Sequence, residues 1–183
     1  MIRQCRALPL VFLILILVMA SGAGAAKRVA LVIGNGAYST APLENPPNDA
    51  RDIARALEEL GFDVIRLENA GQRAMEDAIH TFGNRLRHGN VGLFYFAGHG
   101  MQVKGRNYLV PVGSRIREER DIKYKAVDAG MVLDAMYDAD NGLNIVILDA
   151  CRDNPFARSF RTSERGLARM DAPTGTLIAF ATA

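Results

Sequence analysis

From Arg28 onward the apolar residues fall by turns into short unbroken runs and into stripes at helical spacing. Val29-Ala30-Leu31-Val32-Ile33, ending at Gly34, has the pattern of a strand buried on both faces. Asn48 then offers an N-cap, with Asp49 and Asp52 in a first turn where the helix dipole favours acids. Ala50, Ile53, Ala54, Leu57 and Leu60 keep helical spacing, and Gly61 is a natural stop. Phe62 to Leu67 reads as a second strand, and Met75, Ala78, Ile79, Phe82 and Leu86 mark a second helix. Val91 to Phe96 is a third buried strand running into Ala97-Gly98-His99-Gly100. Met101 to Val103 and Tyr108 to Val110, joined by a Lys104-Gly105-Arg106 turn, predict a hairpin stopped by Pro111.

Residues 113–126 are charged and read as a surface loop, and a helix is predicted from about Val127 to Tyr137. Asn144 to Leu148 is a fourth buried strand, leading into Asp149-Ala150-Cys151. Residues 152–173 are Arg-rich and irregular, and Thr176 to Thr182 predicts a fifth strand. Strands alternating with helices imply crossover connections and a mostly parallel sheet. Ligands of such sheets gather beyond the carboxyl ends of the strands. His99 and Cys151 each fall one to three residues past the end of an apolar run, so they are expected at one edge.

At 183 residues the chain is about one domain, and 49% apolar content excludes a disordered one. The formal charge is +2, yet taking Arg3 and Arg6 from the 22 basic residues leaves 20, equal to the 20 acidic ones. Net charge therefore gives no case for nucleic acid or anionic lipid as partner. Those two arginines precede an apolar run from Leu8 to Met19 and the small residues Ser21 to Ala26. Residues 1–26 thus read as a cleaved signal peptide, with Ala23 and Ala25 at the small-x-small positions. The run is short of the ~20 residues a membrane span needs, which disfavours an uncleaved anchor. No stable membrane span after cleavage, and an exported protein, periplasmic or secreted, are the expectation. Cys5 leaves with the signal, so Cys151 becomes a single thiol, either a reactive group worth flagging or a small buried hydrophobe, and its neighbours decide between the two.

A thiol is a useful nucleophile as thiolate, and a nearby imidazole is the usual means of forming it. Cys151 and His99 supply that pair, and the backbone N–H groups of Gly100 and Cys151 offer a place for an oxyanion. Phe94-Tyr95-Phe96-Ala97-Gly98-His99-Gly100 resembles the His motif of caspases and metacaspases, and Leu148-Asp149-Ala150-Cys151-Arg152 resembles their Cys motif. The two residues lie 52 apart, near the ~50-residue interval of caspases. The resemblance extends over nearly all of residues 28–183 and is greatest to prokaryotic caspase-like proteins. It implies an α/β three-layer sandwich of caspase-hemoglobinase type over residues 27–183, around a mostly parallel central sheet. It also implies a cysteine endopeptidase acting on a peptide or protein substrate, with Cys151 as nucleophile and His99 as acid–base residue. Asp149 matches a residue lining the S1 pocket, where metacaspases use an acid to select Arg or Lys. Asp49 matches a second acidic S1 residue and reads equally well as a first-turn acid stabilising its helix.

Three departures from the metacaspase pattern matter. Ala97 stands where metacaspases carry Ser, which removes one hydroxyl from S1. Arg158 falls where an acid of their calcium site is expected, so no calcium and no other cofactor or metal is predicted. The sequence stops at Ala183, just after the fifth strand, where the family continues, so either a fragment or a core lacking part of its substrate wall is expected. A non-catalytic caspase-like binding or scaffolding domain is the alternative, although it leaves an intact Cys and His without a task. A flavodoxin-like nucleotide-binding domain accounts for the sheet but not for the two motifs. Gly34-Asn35-Gly36 lacks the full phosphate-loop pattern and reads as a tight turn at the cleft edge. His80 and His88 have no paired ligands nearby in the sequence. The Arg158, Arg161, Arg165 and Arg169 series reads as a solvated loop, with self-cleavage there as the sharper possibility.

Overall fold

The computed structural model describes residues 26–86, 90–151 and 166–181, with Cys151 described through its backbone. The signal-peptide reading of residues 1–26 falls almost entirely outside these, as do His88, Arg158, Arg161 and Arg165. In chain order the elements are β1 (Arg28–Gly34), α1 (Pro46–Glu59), β2 (Phe62–Glu68), α2 (Gln72–Arg85), β3 (Val91–Val103) and β4 (Arg106–Leu109). There follow a 3-10 turn (Glu119–Asp121), α3 (Ile122–Lys125), β5 (Val127–Asp128), α4 (Gly130–Asp138), β6 (Leu143–Cys151) and β7 (Thr176–Ala181).

β2, β1, β3, β6 and β7 lie side by side in that order, all parallel. Alternation of side chains along the strands divides them between two faces. On one, Ala30, Val32, Leu93, Tyr95 and Ala97 pack against Ala50, Ala54 and Leu57 of α1. On the other, Leu31, Ile33, Phe94, Phe96, Val146 and Leu148 pack against Met75, Ile79 and Phe82 of α2 and Val132 and Met136 of α4. The result is the three-layer sandwich that the resemblance implies, around the mostly parallel sheet that the alternating pattern predicts. Each large side chain withdrawn this far from water contributes about 1.5–3 kcal/mol.

β3 belongs to two sheets. Val91 to His99 pair in parallel with β6, and Gly100 to Val103 pair antiparallel with β4, whose other edge takes β5. The hairpin turns on Lys104 and Gly105, whose φ values of 52° and 76° suit the tight turn that right-twisted strands favour. Tyr38, Met101, Tyr108, Val110 and Ile122 form a smaller core beneath it.

Several predicted boundaries move. The third strand does not stop at Phe96; it continues through His99 to Val103, so His99 lies within a strand rather than past its end. The glycines break the apolar run without breaking the hydrogen-bonded ladder. Likewise Cys151 is the last residue of β6. Helix α1 begins at Pro46 with Asn45 at its N-cap, so Asn48 is not the cap but a first-turn residue. Two prolines there have no N–H to satisfy, which removes much of the need for a capping side chain. The helix predicted from Val127 begins at Gly130, because Val127 and Asp128 are taken up in pairing with β4. The supposed loop 113–126 contains the 3-10 turn and α3. β6 is buried on alternate residues rather than on both faces, since α1 does not reach over it.

Candidate active site

The carboxyl ends of β1, β3 and β6 form one rim, and the residues singled out from the sequence gather there. His99 and Cys151 are direct register partners across the parallel β3–β6 pair. Adjacent strands lie about 5 Å apart, so their backbones are as close as two strands allow. Asp149 is in register with Ala97, on the face of the sheet that carries Tyr95. Gly100 begins the antiparallel section, where a Cβ would come within 2.9 Å of the Cβ of Ala150.

The His99 side chain is buried, at 4% exposure. Its Nε2 lies 2.6 Å from the carbonyl oxygen of Ala41. A carbonyl only accepts, so that contact places the proton on Nε2 and leaves Nδ1 with a lone pair. Nδ1 is buried and has no hydrogen-bond partner among the described residues. Burial lowers the imidazole pKa below the usual 6.5, and the Ala41 hydrogen bond opposes this in part. At neutral pH the ring is a neutral base with its free nitrogen available.

Sequence reasoning missed the groups that hold this ring. The loop between β1 and α1 crosses over His99, bringing Tyr38 and Ala41. The Tyr38 hydroxyl accepts from the His99 backbone N–H at 3.1 Å and donates to the Val110 carbonyl at 3.0 Å. Its ring packs on the imidazole with centroids 4.5 Å apart. Gly98 makes room for it: a Cβ there would lie 2.7 Å from the Tyr38 oxygen, and its φ of +154° disfavours a side chain. Asn69 steadies the loop by accepting from the Gly36 and Ala37 N–H groups, both at 2.9 Å. Asn35, fully buried, accepts from Ala70 N–H at 2.8 Å and donates to the Val110 carbonyl at 3.2 Å. The Gly34-Asn35-Gly36 turn is therefore at the rim, as read, with a side chain that ties three segments together. The only signal for these roles was asparagine beside glycine, which also marks ordinary turns.

Asp49 and Asp149 come from different elements, the first turn of α1 and the end of β6. Tyr95 links them. Its hydroxyl donates to Asp149 Oδ2 at 3.3 Å. Its pKa is raised by burial first, then by the negative charge of Asp149 and of Asp49. The negative charges of two carboxylates thus act on one hydroxyl. Beyond β6, Asn107 grips the returning chain with two 2.7 Å hydrogen bonds to Ala168, and Leu167 approaches Gly100. Among the described residues no three His, Cys, Asp or Glu side chains gather to hold a metal ion.

Known proteins share this arrangement of strands. The model of the Caspase domain matches residues 27–183. The human and mouse forms of mucosa-associated lymphoid tissue lymphoma translocation protein 1 are each 34% identical over 131 residues, 70% of this chain. The chain spans about 15% of the length of those curated relatives. Among solved structures, pro-sf-caspase-1 superposes with a TM-score of 0.58 at 12% identity, over 88% of this chain and 63% of that one. The Drosophila initiator caspase Dronc gives 0.53 at 12% identity, over 85% and 54%. Protein GSU0716 from Geobacter sulfurreducens gives 0.54 at 19% identity, over 68% and 50%. The fold is thus that of the caspases, and this chain belongs to the Caspase domain family.

Proposed function

We propose that the protein is a cysteine endopeptidase working through Cys151 and His99, with a preference for Arg or Lys at P1. The observation that carries the reading is the register partnership of these two residues, with His99 Nδ1 buried and without a hydrogen-bond partner among the described residues. In this scheme Nδ1 takes the thiol proton and the thiolate attacks the scissile carbonyl carbon. The C–N bond breaks as the imidazolium returns that proton to the leaving amine. Water then hydrolyses the thioester with His99 again as base. The N–H groups of Gly100 and Cys151 are assigned to the oxyanion. Asp149 and Asp49 are assigned to the P1 cation, and Arg offers such a site a forked, charge-assisted contact. The enzyme is expected to act outside the cytoplasm, on the strength of residues 1–26.

A fluorogenic peptide panel varied at P1 tests this on the protein lacking residues 1–26. Cleavage after Arg and Lys is expected, with a loss of order 10³-fold or more in kcat for Cys151→Ala and His99→Ala. Undiminished activity in either folded variant overturns the dyad, and a wild-type preference for P1 Asp overturns the specificity. A folded wild type that cuts nothing in the panel favours the binding-domain alternative.

A further inference from the structure

We infer that Tyr38 is a positioning residue for His99, holding its backbone and ring together from the loop that crosses the rim. The inference rests on the dyad reading above and names a residue that reading does not contain. At His99 the strand changes partner, from β6 on one side to β4 on the other. The His99 amide leaves the ladder and donates to the Tyr38 hydroxyl at 3.1 Å. That hydroxyl donates to the Val110 carbonyl at 3.0 Å, and the Val110 amide donates to the His99 carbonyl at 2.9 Å. The three residues close a cycle in which every donor has an acceptor, and such cycles polarise and stiffen their members.

The same loop reaches the ring. The Tyr38 ring packs against the imidazole at 43°, and Ala41, three residues on, accepts from Nε2. Ala41 has a φ of 54°, a conformation unfavourable for alanine, which persists where surroundings enforce it. Tyr38, three residues before it, is buried to 8% exposure and anchored at both its oxygen and its ring. Its loss would release the loop and the imidazole together. A displacement of about 1 Å in a reacting group lowers rate by as much as 10²-fold.

The test is Tyr38→Phe, which keeps the ring and removes the hydroxyl. Peptidase kinetics on the best Arg peptide are expected to show kcat lower by roughly 10- to 100-fold with KM changed less than about twofold. Leu93→Ala, in the core against α1, serves as a control for general loss of stability and is expected to retain kcat. Nitrogen-15 NMR of His99 reads the same point whether or not peptides are cut. The wild type is expected to hold one tautomer, protonated at Nε2, and Tyr38→Phe to populate both. Should Tyr38→Phe not fold, Tyr38→p-aminophenylalanine retains a donor for Val110 but accepts poorly from His99, and the same two changes are expected. Unchanged kcat and tautomer in a folded variant, or an equal kcat loss in Leu93→Ala, overturns the inference. A wild type that cuts nothing, while Tyr38→Phe still shifts the tautomer, removes the dyad reading and leaves Tyr38 in its positioning role.

Discussion

At His99 the two nitrogens of one ring have different surroundings: Nε2 meets a carbonyl, and Nδ1 meets no partner among the described residues. Burial favours the neutral ring, so its folded pKa lies below 6.5. Between that folded value and 6.5 the unfolded chain holds a proton that the folded chain does not, so stability rises with pH across the window. The same sign applies to the proposed chemistry, which needs the neutral ring. The acidic limb of kcat/KM is expected to fall below pH 6.5, and a limb above that value in a pH–rate profile would contradict it. Tyr95 yields a second expectation at this scale. Its hydroxyl orients one carboxylate oxygen of Asp149. Tyr95→Phe is expected to weaken Arg peptides by several-fold in KM, and Asp149→Ala to collapse their turnover, with the fold kept in both.

β3 is the element on which the site depends. Its first half is held on both faces by Phe94, Tyr95 and Phe96, and its second half carries the hairpin. Phe96→Ala is expected to cost about 3–5 kcal/mol, read as a shift in denaturant midpoint, because Phe96 is fully buried and the surroundings relax only partially into the space it leaves. The strands were legible in the sequence because apolar runs of five or six residues have few other readings. Where β3 ends was not, since Gly98-His99-Gly100 looks like a stop and is a change of partner instead. The start of α1 was misplaced for a related reason: Asn48 looks like a cap, while the two prolines before it already form the first turn. His99 and Cys151 were legible because each follows an apolar run in a recognisable motif. Tyr38 and Ala41 were not, because a loop residue's contact across 60 positions leaves no local pattern.

Across the whole molecule, parallel strands converge at one rim, and it brings Asp49, Asp149, His99 and Cys151 together from three elements. Among the described residues no helix is long and apolar enough to cross a membrane. The smaller sheet of β4 and β5 joins the larger one through β3 alone. A single strand-to-strand attachment of this kind predicts two tiers of cooperativity, with the packing of Leu109 and Val127 in the main core opposing the separation. On this expectation β4 and β5 open without unravelling the parallel sheet, and the opening pulls on the strand that carries His99. Hydrogen exchange is expected to resolve this as two groups of amides: Tyr108 and Leu109 exchanging through a partial opening, and Leu31 and Phe94 only with global unfolding. Equal protection in both groups would count against it. If they separate, the imidazole stands at the boundary between a part of the protein that breathes and a part that does not, and the proposed catalysis would be open to silencing there without unfolding the rest.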